Sequence, residues 1–161
     1  MEVDLRPVTT HDIEGLVHLS LLAWEPVFRS FERVLGAHIY ALLYPDWRGQ
    51  QRKVVEDVCR DTATFSVWVA EVNAVLTGFI AYTMNPEDKS GEVELLAVHP
   101  DYQNQGIGAQ LNTFALNKMK DSGVKLAVVA TGGDPGHAPA RRSYEKAGYT
   151  ALPLVRYYKA L

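Results

Sequence analysis

The stretch best equipped for chemistry is Glu92-Val-Glu-Leu-Leu-Ala-Val98, followed by His99-Pro-Asp-Tyr102 and then Gln103-Asn-Gln-Gly106-Ile-Gly108. An apolar, strand-like run enters a polar loop whose glycines open an amphipathic segment. Glycine lets backbone come close to a ligand, and the free N–H groups of a helix start, aided by the helix dipole, form an anion site. That spacing points to a phosphate or pyrophosphate cradle, set against the plainer alternative of a glycine-bearing turn before a helix. Two phosphate motifs fail. A Walker loop needs a lysine directly after its second glycine, where Ala109 stands, and the dinucleotide fingerprint needs a third glycine, where Leu111 stands. Glu92 and Glu94, two apart on the same run, share one face of a strand. Carboxylates so placed serve proton transfer or simply solvate a sheet face.

These residues need a frame, and the sequence predicts one. Residues 3–8 make a short strand. Thr10 stands as a helix N-cap, with Asp12 and Glu14 in the first turn of a helix that carries Ile13, Leu16, Val17 and Trp24 and is disturbed at its end by Pro26. Helical pattern returns over 35–43 and 50–59, with a break at Tyr44-Pro45-Asp46. Residues 65–72 and 75–83 are rich in β-branched and aromatic types and flank Asn73-Ala74, which predicts an antiparallel hairpin. After a polar loop at 85–91 comes a third strand at 92–99. A helix over 106–120 presents Ile107, Leu111, Phe114 and Ala115 on one face. A buried strand at 125–131, a loop at 132–137, a helix at 138–147 and a closing strand at 149–159 complete the order β-α-α-β-β-β-α-β-α-β. That is a mixed α/β sheet, neither Rossmann nor barrel. No repeat or linker divides it, so residues 1–161 read as one domain.

Composition sets the outer bounds. At 161 residues, 47% hydrophobic and 22% charged, the chain can bury a core and is not disordered, collagen-like or a disulfide scaffold. Sixteen basic against nineteen acidic residues leave a net charge of −3, with no global drive toward nucleic acid or an anionic membrane. A single cysteine, Cys59, cannot make an internal disulfide and suits a reducing, cytoplasmic setting. Five histidines show no paired-ligand spacing, so no metal site is expected. The acidic start Met1-Glu-Val-Asp4 is unlike a secretory signal, and the longest apolar runs fall far short of the roughly 20 residues that span a bilayer.

Taken together, Gln103-x-x-Gly106-x-Gly108 after Leu96-Ala97-Val98 resembles the acyl-CoA signature of the GNAT superfamily of N-acyltransferases. Ala140-Arg-Arg-Ser-Tyr144-Glu-Lys-Ala-Gly148-Tyr149 resembles that superfamily's second motif, and the ordered pair extends the likeness over nearly the whole chain. The resemblance implies a largely antiparallel sheet with helices on both faces, splayed at residues 92–98. Acetyl-CoA, as acyl-donor substrate, would lay its pantetheine along Leu96, Ala97 and Val98. Its pyrophosphate would rest on the amides of Gln103, Asn104, Gln105, Gly106, Ile107, Gly108 and Ala109, and Ala140 and Tyr144 would also touch the cofactor. His137 stands where the family often has asparagine. It can donate a hydrogen bond to the cofactor, act as a base, or face water.

Acetyl transfer to an amine then assigns roles. An alkylammonium, with a reference pKa of about 10.4, must lose a proton before it attacks. The family's strand glutamate matches Glu92 slightly better than Glu94, which sits one pleat closer to the expected thioester. Tyr144 takes the place of the family's general acid toward the departing thiolate, and the Val98 amide is the expected oxyanion donor. Arg141, Arg142 and Lys146 are candidates for the adenosine phosphate. Trp24, Glu25, Phe28, Tyr40, Tyr44, Asp46 and Trp47 suit a small cationic amine, or are mostly core. A protein N-terminus or lysine is the rival acceptor, and a non-catalytic acyl-CoA sensor is the rival class. Cys59 reads as packing, and Tyr157-Tyr158 offers a contact for a homodimer.

Overall fold

The computed structural model describes residues 1–161. Five strands run β1 (Asp4–Pro7), β2 (Ser66–Val72), β3 (Val75–Asn85), β4 (Ser90–Val98) and β5 (Leu126–Val129), and they lie side by side in that same order. The first four are antiparallel neighbours, and β5 joins β4 in parallel. Between β1 and β2 lie α1 (Ile13–Leu35), α2 (Ala37–Leu43) and α3 (Trp47–Arg60). Three helices thus stand where the sequence order counted two, because Gly36 and the Tyr44–Asp46 break each interrupt the helical path. α4 (Ile107–Asp121) connects β4 to β5, and α5 (Ala138–Lys146) follows β5. No helix is long and apolar enough to cross a membrane.

Two apolar layers sandwich the sheet. On one face Leu16, Val17 and Leu19 of α1 and Val55 and Val58 of α3 pack with Val69, Phe79 and Ala97. On the other, Ile107, Leu111, Ala115 and Met119 recur every fourth residue of α4 and meet Ile80, Tyr82 and Val93. α4 lies so close to β4 that a Cβ on Gly91 would stand 2.8 Å from Met119 Sδ.

Two expectations are corrected. Pro26 does not end α1, which continues nine residues beyond it to Leu35. Proline costs a helix one donor and a clash, about 3 kcal/mol, and the packing of α1 against α3 and the sheet outweighs it. The closing strand at 149–159 is not formed, and nothing after Lys146 is helix or strand. Apolar alternation supplies a face, but a strand also needs a ladder partner, and Pro153 lacks the donor for one.

The β2–β3 turn takes positive φ at both central residues, 50° at Asn73 and 62° at Ala74, as a tight hairpin requires. At the sheet's opposite edge, Arg6 reaches both oxygens of Asp12 at 2.8 Å and Glu71 at 2.5 Å. Asp12 also accepts from the Thr9 amide at 2.7 Å, so the turn into α1 is capped one residue earlier than Thr10. The Arg6 bonds hold the Asp12 carboxyl down at about 2, below its usual value near 4. A depressed carboxyl stabilises the fold above its unfolded pKa and loses that contribution as pH falls through the folded one. Thermal melts should therefore show roughly 2 kcal/mol lost between pH 4 and 2. An Arg6→Met variant, already less stable at neutral pH, should lack that part of the acid limb.

Candidate active site

β4 pairs with β5 only over Ser90–Val93. The separation coincides with a β-bulge. Val93 lies opposite Tyr82 and Leu95 opposite Ala81, so Glu94 has no partner across the ladder. A bulge adds twist, ends pairing and re-aims a side chain. Here it opens the sheet, and the opening is a cavity of about 860 Å³ walled by β4, α1, α4 and α5. Beyond the bulge the His99 N–H donates to the Thr77 carbonyl on the β3 side at 2.8 Å. By strand alternation the backbone polar groups of Leu96 and Val98 then face the opening. The Gln103 side chain donates to the Val98 carbonyl at 3.0 Å and ties the loop to the strand.

The loop after β4 takes the form its glycines imply. Gly106 caps α4 with φ 85°, and Asn104 is also left-handed at 61°. Within α4 the first bond closes from the Gln110 amide to the Gly106 carbonyl at 3.0 Å, so the amides of Ile107, Gly108 and Ala109 have no helical acceptor. Gln103, Asn104, Gly106, Ile107, Gly108 and Ala109 all line the cavity, as do Leu96, Ala97 and Val98, whereas Gln105 lies outside it and donates to the Asp101 carbonyl at 3.2 Å.

Of the two strand carboxylates, Glu94 lines the cavity and Glu92 does not. They share a face: Glu92 pairs across the ladder with Thr83, whose hydroxyl makes a long 3.5 Å bond to Glu94. Burial, with the nearby Glu92 charge, raises the Glu94 carboxyl above its ordinary value. Tyr144 lines the same cavity from α5, as does Ala140 one turn before it. Burial pushes its phenol up to about 12, helped by the Tyr149 ring edge-on at 5.7 Å, so it keeps its proton at neutral pH.

His137 also lines the cavity and is firmly held. Its Nδ1 bonds the buried Asp134 carboxylate, which accepts from Ser30 Oγ of α1 at 2.6 Å and from the Gly136 amide at 3.0 Å. Burial alone would raise the Asp134 carboxyl, but the bonds from Ser30 and His137 outweigh it and hold it low. Sequence reading missed Ser30 and Asp134; the Asp-Pro-Gly-His spacing was its only local sign. Arg141 is occupied by the carbonyls of Gly132 and Asp134, while Arg142 and Lys146 lie at the cavity wall.

The expected acceptor residues divide. Trp24 lines the cavity. Phe28, Tyr44 and Trp47 pack on one another beyond it, Phe28 stacked on Trp47 at 4.4 Å, and Tyr40 leans on Tyr44. Glu25 pairs with Arg29 and Arg48, and Asp46 caps α3. Cys59 is buried, which pushes its thiol up to about 11 and leaves it unreactive.

Comparison with known proteins bears on the family and the fold. The model of the acetyltransferase (GNAT) family matches residues 34–149, well over half of the chain. The chain belongs to the GNAT acetyltransferase family. A mycothiol acetyltransferase of Thermomonospora curvata is 32% identical over 94 residues, which are 58% of this GNAT chain and 31% of that protein. The chain thus spans about a third of the length of this curated relative. The PaiA N-acetyltransferase of Thermoplasma acidophilum, solved in complex with coenzyme A, superposes with a TM-score of 0.72 at 18% identity, over 94% of this chain and 92% of that one. An aminoglycoside N-acetyltransferase holding a bisubstrate analogue, CoA-S-monomethyl-acetylneamine, gives 0.64 at 14% identity over 100% and 99%. These structures share the GNAT fold, and the bound coenzyme A of the first accords with acetyl-CoA as donor.

Proposed function

We propose that this GNAT chain transfers acetyl from acetyl-CoA directly to the primary amine of a small molecule. The observation that carries this reading is the single cavity bringing the glycine cradle, the open β4 edge, Glu94 and Tyr144 together. The donor fits the residues present. Free amides at the start of α4 suit the pyrophosphate, Leu96 and Val98 offer strand-like pairing to the pantetheine, and Arg142 and Lys146 are placed for further phosphate. When bound, acetyl-CoA supplies the thioester.

The chain's own residues move the protons. Glu94, raised in pKa, takes a proton from the incoming ammonium, directly or through one water. The freed amine attacks the thioester carbonyl, and the Val98 amide, facing the opening, holds the oxyanion. Tyr144 delivers its proton to the departing thiolate, and the proton that the attacking nitrogen sheds as it becomes an amide restores the phenol. The apolar α1 wall with Trp24, close to one carboxylate, favours a cation on a compact apolar body. The names of the mycothiol and aminoglycoside enzymes support a small acceptor.

Acetyl-CoA should raise the melting temperature by mass action while ATP and NAD do little. Stabilisation by NAD or ATP alone would refute the donor. A Gly108→Val variant should stay folded and bind acetyl-CoA at least tenfold more weakly in calorimetric titration. A Cβ there meets Val98 Cγ2 at 3.6 Å, an ordinary contact that the fold tolerates, while the added bulk crowds the amides meant for the pyrophosphate. Thiol release from acetyl-CoA against polyamines, aminoglycosides, amino thiols and peptides tests the acceptor. Turnover confined to peptides would favour a protein substrate, and donor binding without turnover would favour a sensor.

A further inference from the structure

α1 holds a proline where a helix accommodates one least. Pro26 lies well inside Ile13–Leu35 and has no N–H to give. The carbonyl four residues earlier, that of Leu22, therefore lacks its helical donor, and the proline ring pushes that carbonyl away from the axis. No amide from outside the helix donates to it. The two hydroxyls of α1 are engaged elsewhere, Ser20 with the Val17 carbonyl at 2.9 Å and Ser30 with Asp134. Packing of the ring does not offset the lost bond, because Pro26 is exposed and belongs to neither apolar layer.

The unpaired carbonyl has a place in the site. A helix carbonyl points along the axis toward the residue four ahead, so that of Leu22 lies on the strip between Leu22 and Pro26. Both residues line the acetyl-CoA cavity, with Ala23, Trp24 and Val27 beside them. Ala23 and Trp24 pack on the apolar layer that holds Ala97, as does Leu95. This stretch of α1 thus faces the end of β4 that carries Glu94, and both elements wall the same space.

We propose that the Leu22 carbonyl is the second acceptor for the substrate's ammonium, alongside Glu94, and that it selects primary amines. This rests on the acetyl-transfer reading above and extends it to the substrate class. A primary ammonium offers three N–H donors. Glu94 takes one proton, which frees the lone pair that attacks the thioester carbonyl. A second proton leaves as the nitrogen becomes an amide, and it restores the Tyr144 phenol. The third stays in the product as its amide N–H, and this is the hydrogen that the Leu22 carbonyl holds throughout. A backbone carbonyl does not titrate, so it grips the ammonium and the free amine alike and keeps the lone pair aimed. A secondary amine must shed both of its hydrogens, so its bond to Leu22 has to break before product forms.

Pro26→Ala supplies the missing amide, which closes the helical bond and occupies the Leu22 carbonyl. The variant should melt no lower than the wild type, since alanine is the best helix former. Calorimetry should show unchanged acetyl-CoA affinity. For each amine of the panel that turns over, KM should rise about 10- to 100-fold, the worth of one hydrogen bond to a charged group, while kcat holds. The preference for that amine over its N-methyl derivative should shrink as well. A second measurement needs no turnover. In the CoA-bound protein, the isotope-labelled Leu22 carbonyl, assigned through the Ala23 amide, should shift saturably with methylammonium. Tetramethylammonium, with the same charge and no N–H, should leave it in place, and Pro26→Ala should abolish the response. Four results each overturn the proposal: no methylammonium shift at Leu22, an equal shift with tetramethylammonium, a wild-type KM in Pro26→Ala, or a loss there that falls on kcat or on acetyl-CoA affinity. Were no amine of the panel acetylated, the acetyl-transfer reading would fail, while the methylammonium titration would still decide whether this carbonyl receives an ammonium.

Discussion

Tyr144→Phe should lower kcat by about 10²–10⁴-fold, the usual contribution of a positioned acid, while the protein melts almost as before. The substitution removes one oxygen and keeps the ring that meets Tyr149 edge-on. The phenol makes no ion pair, and burial lifts its pKa to about 12, so the hydroxyl stays protonated across the working pH range. Without it the sulfur must leave as the bare thiolate or borrow a proton from water. The deficit arises in the transition state, so kcat and kcat/KM should fall together and acetyl-CoA affinity should hold. A folded Tyr144→Phe enzyme with full kcat would return this tyrosine to packing.

The second large effect separates the two strand carboxylates. Glu94→Gln should lower kcat/KM by about 10²-fold near neutral pH, and Glu92→Gln should cost much less. The base acts when ionised, so the wild-type rate should climb with pH through the raised Glu94 pKa. In Glu94→Gln that step should vanish, leaving only the slow rise of the free amine. Glu92→Gln removes a charge that helps raise Glu94, so its acid limb should move to lower pH with the plateau retained. If Glu92→Gln proved the damaged variant and Glu94→Gln kept its limb, the bulge would not be aiming the base.

How much of this was legible in the sequence differs by the range of the interaction involved. The form of the glycine loop was readable because Gly106, Gly108 and the start of α4 are neighbours in the chain and their conformation is locally determined. Ile107, Leu111 and Ala115 of the α4 stripe were equally plain, being a four-residue repeat, whereas Phe114 stands half-buried against Trp68 and Met119 completes the stripe. The bulge at Glu94 was not, since it depends on how Val93 and Leu95 register against Tyr82 and Ala81 on another strand. Strand parity alone put Glu92 and Glu94 on one face, yet only the register shows which of them reaches the cavity. Ser30 and Asp134 were invisible for the same reason, being partners from distant parts of the chain. The segment 149–161 misled because alternation records which side chains want cover, not whether a ladder partner is at hand.

The Ser30–Asp134 bond spans 104 positions in the chain. During synthesis α1 therefore leaves the ribosome well before the loop that will clamp it, by about 5–20 s at 5–20 residues per second. The sheet does not wait in this way, because β1 through β4 are spatial neighbours in their order of appearance, and each new strand finds an edge ready. The strands can thus pair in their order of synthesis, while Asp134, which holds His137, meets Ser30 only when its loop closes on α1. The cavity draws its last wall from residues 129–146, so it is complete only when the final helix of the fold has been made.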